Sequence, residues 1–105
     1  MTDLTQMNKL EAYLKEHNIP YDRIDKEERF EEAPHCKYIV ECELHQIIVP
    51  HQDQKRQWDV ICNRGSYGHN EGLLELMGNI VRANDSVEGW LTADDVIKRI
   101  EEARS

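Results

Sequence analysis

The chain has 105 residues, 39% of them hydrophobic and 32% charged. This length fits one small domain over residues 1–105 and excludes a large second one, and the composition excludes general disorder. The net charge of −8, from 21 acidic and 13 basic side chains, argues against direct binding of DNA or RNA, because phosphate contacts need Lys and Arg in excess.

The first predicted element is a helix from about Leu4 to His17, with Leu4, Met7, Leu10 and Leu14 at helical spacing. Asp3 can cap the amide of Gln6, and Gln6 can reach back. Asn18 suits a left-handed C-terminal position, Ile19 can pack back, and Pro20 stops the helix. Tyr21 to Lys26 alternates weakly and reads as an edge strand. Glu27 to Pro34 reads as a solvated acidic loop or ragged helical turn.

Lys37 to Val49 is strand-like. Tyr38, Val40, Cys42 and Leu44 share one parity, whereas Ile47 and Val49 fall on the other. A one-residue slip turns the core face outward, so a bulge or break is expected near His45–Gln46. A polar connection centred on Asp53–Gln54 then leads to Trp58–Cys62. It sets Val49 opposite Trp58 and Ile47 opposite Val60, which places apolar pairs on one face.

Gly65 and Gly68 break the chain. Asn70 can cap a helix from about Glu71, with Leu73, Leu74, Met77, Ile80 and Val81 as its buried face. Gly78 sits awkwardly inside that pattern. A last helix starts at Thr92, where Thr92 with Asp95 forms a capping box and Leu91 with Val96 a hydrophobic staple. The expected fold is therefore α+β, in the order α-β-β-β-α-α. Three helices would pack on a small antiparallel sheet of two to three strands.

No apolar run approaches the ~20 residues that cross a bilayer, and the N-terminal stretch lacks the basic and apolar regions of a signal peptide. Three cysteines, an odd number, fit reduced thiols in a cytoplasm. Cys36, Cys42 and His45 are the best candidate metal ligands in the sequence. Only Cys42 and His45 have zinc-like spacing, so no metal and no cofactor is expected. Cys62 lies before a glycine-rich loop, but the Arg of a C-x5-R phosphate loop is replaced by Gly68, and no catalytic residue is assigned. The segment Arg64 to Asn70 matches neither dinucleotide-binding nor P-loop spacing.

The segments QWDVICNRGSYGHNEGLLELMG and VEGWLTADDVIKRIEEA resemble small uncharacterised proteins of phages and prophages of Gram-positive bacteria. The resemblance implies a bacterial cytoplasm and an accessory protein that binds host proteins, some such proteins being inhibitors of defence enzymes. The expected function is a non-catalytic, acidic protein-binding module, an inhibitor of a host nucleic-acid-handling enzyme. Its partner would be a basic protein, since opposite potentials steer encounter, and homodimerisation is a second possibility. The expected contact residues are Arg64, Ser66, Tyr67, His69 and Asn70, with Glu27, Glu28, Glu31 and Glu32. The alternative is a small-ligand, anion or metal binder that uses the Gly65–Asn70 loop or the Cys/His set.

Overall fold

The computed structural model describes residues 2–50, 54–63, 66–81 and 87–104. Among the described residues, two helices, α1 (Thr5–Glu16) and α2 (Ala93–Arg104), bracket seven strands. The strands are β1 (Asp22–Lys26), β2 (Arg29–Ala33), β3 (Cys36–Glu41), β4 (Leu44–Val49), β5 (Trp58–Ile61), β6 (Leu74–Gly78) and β7 (Val87–Leu91). Five of them form an antiparallel sheet in the order β1-β4-β5-β6-β7, while β2 and β3, among the described residues, pair only with each other.

The fold remains α+β, but the expected three helices on two or three strands are overturned by two helices on five strands plus a separate hairpin. The expected third helix is strand β6. Leu74 and Leu76 are buried while Glu75 and Met77 are more exposed, which is a period of two rather than 3.6. Gly78 then ends a strand instead of interrupting a helix. Its φ is 124°, and a Cβ there would lie 2.4 Å from the Gln57 carbonyl oxygen. Asn70 caps no helix: His69–Glu71 is a single 3-10 turn closed by left-handed Gly72. The acidic stretch expected as a loop carries β2, and β7 escaped the reading of the sequence altogether.

The central hairpin follows the expected register, with Val49 opposite Trp58 and Ile47 opposite Val60. The Asp53 half of its connection lies outside the described residues. Lys37–Val49 is not one strand. It breaks at Cys42–Glu43, a little before the expected bulge, and its halves join different sheets. Tyr38 and Cys42 are consequently exposed, although their parity suggested a core face.

Both helices cover one face of the sheet. Met7, Leu10 and Leu14 of α1 and Ala93, Val96 and Ile100 of α2 meet Ile47, Val49, Trp58, Val60, Leu74 and Leu76. Charged pairs close both edges of this layer. Arg23 on β1 reaches Glu11 and Asn8 of α1, and Arg99 of α2 forks onto Glu88 of β7 at 3.0 and 3.2 Å. The helix termini are tied as well. Thr92 N–H donates to Asp95 Oδ2 and Asp95 N–H donates to Thr92 Oγ1, the reciprocal box expected. At α1, Asp3 accepts from Thr5 rather than Gln6. The Gln6 side chain instead accepts the Ala93 N–H, which links the starts of the two helices.

Candidate functional site

The hairpin β2–β3 is an arm. It leaves the body after β1 and returns just before β4, turning at Pro34–His35, and the molecule measures 58 × 26 × 25 Å. Cross-strand partners share a face. One face of the arm therefore carries Phe30 with Ile39 and Glu32 with Lys37; the other carries Glu31 with Tyr38 and Ala33 with Cys36. A register shift beside Arg29 leaves Val40 as the extra residue. The arm carries polar contacts of its own: Arg29 meets Glu31 and Glu41, the Tyr38 hydroxyl donates to Glu31, and Lys37 lies over the Phe30 ring. Its apolar groups remain in water, with Phe30 and Tyr38 each 46% exposed and Ile39 39%.

At the root of the arm lies a polar cluster. His45, on the helix-facing side of β4, is 1% exposed. Its Nδ1–H donates to Asp25 Oδ1 at 2.7 Å, and its Nε2 faces Glu27 Oε1 at 3.4 Å and Glu43 Oε2 at 3.6 Å. The Thr2 hydroxyl donates to Glu43 Oε2 at 2.7 Å, and His69 Nε2 lies 3.0 Å from Thr2 Oγ1 and 3.7 Å from Glu43 Oε1. Burial alone would raise the Asp25 carboxyl. The hydrogen bond from His45 and the Arg23 guanidinium outweigh it and hold that carboxyl below its usual range. Burial, then the Asp3 and Glu43 carboxylates, push the nearby Cys62 thiol up to about 11. Cys62 is therefore a protonated thiol that donates to the Asp3 carbonyl oxygen, not a poised nucleophile.

No family model, no curated protein and no solved structure matches the chain.

The residues singled out in the sequence distribute over these features. Glu31 and Glu32 ride on the arm, and Glu28 lies between β1 and β2. Glu27 and His69 reach the His45 cluster from either side of it in the sequence. The trio Cys36, Cys42 and His45 is not assembled. Both cysteines are exposed on or beside the arm, and carboxylates occupy the space around His45. Ser66 closes its own turn, with its hydroxyl donating to Asn63 O and accepting from Asn63 N–H. Asn70 is exposed, and Arg64 lies outside the described residues.

Tyr67 is 60% exposed and packs its Cβ against Gly89. Beside it stands Trp90, 59% exposed, on the edge strand β7. Trp90 has φ 61°, in the left-handed region, where β7 gains a residue over β6 between Leu91 and Glu88. Bulky residues rarely occupy that region, and such strain concentrates at functional positions. Glu43 and Trp90 were not assigned as site residues from the sequence. Glu43 became visible only when the Cys42–Glu43 break brought it beside His45. Trp90 carried a signal in Gly89 before it, since an interior strand glycine often marks a bulge.

At the far end of β4, a cleft of about 490 Å³ opens between the helix ends and the sheet, lined in part by Ile19, Val49, Trp58, Ile80 and Ile100. Among the described residues, no helix is long and apolar enough to cross a membrane.

Proposed function

We propose that the protein is a protein-binding module whose arm is its principal contact element. The observation that carries this reading is the exposure of Phe30, Tyr38 and Ile39 on a two-stranded hairpin that, among the described residues, pairs with no other strand. An isolated hairpin of two strands is marginally stable in water. A partner that covers either face would supply the apolar burial this arm lacks. Aromatic side chains on a projecting strand pair are effective anchors, because rings have few rotatable bonds to immobilise.

Charge selects the partner. Residues 27–43 hold six glutamates against Arg29 and Lys37, within a chain of net charge −8. Such an arm is steered toward a basic surface. A nucleic-acid-handling protein fits that description, because its working groove is basic in order to hold phosphates. An acidic arm lying in the groove would exclude the nucleic acid. Tyr67 and Trp90 offer a second aromatic contact on the body.

The test compares the native chain with a Phe30→Ser, Tyr38→Ser double variant as bait in a lysate of the encoding organism. Melting temperature is measured in parallel. Specific capture by the native chain, lost in a double variant of equal melting temperature, supports the reading. Equal capture by both proteins refutes it.

A further inference from the structure

We infer that Glu27, Glu43 and His45 form a binding site for one first-row divalent transition ion, with zinc the best fit. One donor atom from each lies within 4.8 Å of the others. From His45 Nε2 the two carboxylate oxygens are 3.4 and 3.6 Å away. Zinc bonds imidazole nitrogen and carboxylate oxygen at about 2.0–2.2 Å, which spaces tetrahedral donors roughly 3.3–3.6 Å apart. Both separations from His45 Nε2 are those of donors around a shared ion.

His45 supplies the independent argument. Its Nδ1–H is committed to Asp25, so in the neutral ring Nε2 presents a lone pair. That atom is buried and, among the described residues, has no hydrogen-bond partner. Buried polar atoms are nearly always satisfied. Here the atom is aimed at two carboxylates, and three electron-rich groups converging at this distance require a positive species between them. A divalent ion meets the requirement; the competing species is a proton on Nε2.

The surroundings match a metal site rather than a bare charge cluster. Asp25 holds the far nitrogen of His45, as carboxylates do behind metal-bound histidines. Thr2 fixes Glu43 through its 2.7 Å hydrogen bond. Imidazole with carboxylate selects zinc and its transition-metal neighbours over magnesium and calcium. Three protein donors leave a fourth position to water, with His69 at the rim. Glu27 follows β1 and Glu43 precedes β4, so the ion would pin both roots of the arm to the body.

Calorimetric titration with zinc chloride tests the site without reference to any protein partner. The chain carries Cys36→Ser and Cys42→Ser, which removes the exposed thiols that could take zinc on their own, and is first stripped with chelator. The expected result is one saturable zinc per chain and a higher melting temperature when loaded. Glu27→Gln and Glu43→Gln should each weaken binding by at least roughly tenfold. Glu27 is exposed, so its variant remains informative even if Glu43→Gln misfolds. Absence of saturable binding, or binding untouched by Glu27→Gln, overturns the proposal. So does a nitrogen NMR signature of a doubly protonated His45 that persists in excess zinc.

Discussion

Asp25 and His45 are register partners across β1 and β4, and the His45 Nδ1–H donates to Asp25 Oδ1 at 2.7 Å. The pair lies on the helix-facing side of the sheet, where the apolar core gives way to the polar root of the arm. A buried imidazole N–H that loses its acceptor costs about 1–3 kcal/mol. In chelator-treated protein, Asp25→Ala should therefore destabilise by about that amount in urea unfolding. Asp25→Asn, which keeps an acceptor oxygen, should cost less. Equal losses would mean that the hydrogen bond does not hold His45.

The start of α2 depends on the reciprocal bonds between Thr92 and Asp95. Thr92→Ala should cost ~1 kcal/mol, the usual loss of an N-terminal cap. The denaturation midpoint should fall with an unchanged slope, since the surface exposed on unfolding stays the same.

Acid should weaken the same helix start. The Thr92 N–H bond, chief among the causes, holds the Asp95 carboxyl below its ordinary value of 3.8. A depressed folded-state pKa gives stability that is present above the ordinary value and is lost as pH falls through the folded one. Melting temperature should therefore drop as pH is taken from neutrality to below about 4, the range in which unfolded Asp takes up its proton. The drop should be shallower in Asp95→Asn, which keeps an acceptor but does not titrate. Parallel curves for the two proteins would refute this role of Asp95.

Gly78 closes β6 with φ 124° against the backbone of Gln57 and Trp58. Gly78→Ala combines an unfavourable dihedral with a backbone clash and should cost roughly 3 kcal/mol. A circular-dichroism melt within about a degree of native would show that the strand end relaxes freely, since a 1 kcal/mol change shifts a domain of this size by several degrees.

The elements that could be read from the sequence were those with unambiguous local signals. The capping box at Thr92, the Asn18–Pro20 helix stop and the pairing of Val49 with Trp58 all depend on residues close together in the chain. Segment 73–81 failed because Leu73, Leu74, Met77, Ile80 and Val81 satisfy helical spacing, while Leu74, Leu76 and Gly78 satisfy the strand. Gly78 was the clue that favoured the strand. The arm failed because exposed strands need not alternate between apolar and polar residues, so β2 looked like a charged loop. The His45 cluster was invisible as a unit. Its members come from the end of β1, the start of β4 and the loop at His69, and only sheet register joins them.

On the proposed reading the arm is the contact on which capture depends, and Tyr67 and Trp90 on the body do not hold a partner without it. Lys26 and Leu44 are register partners at the arm's root, so residues 28–42 can be replaced by an Asn-Gly turn that joins Glu27 to Glu43. The decisive measurement is capture of the lysate partner by this armless chain, with circular dichroism and melting temperature recorded on the same sample. The account predicts a folded body that melts within a few degrees of the native chain, since the arm adds little to the core, and that captures nothing specific. A folded armless chain that still captures the partner at native strength would contradict it.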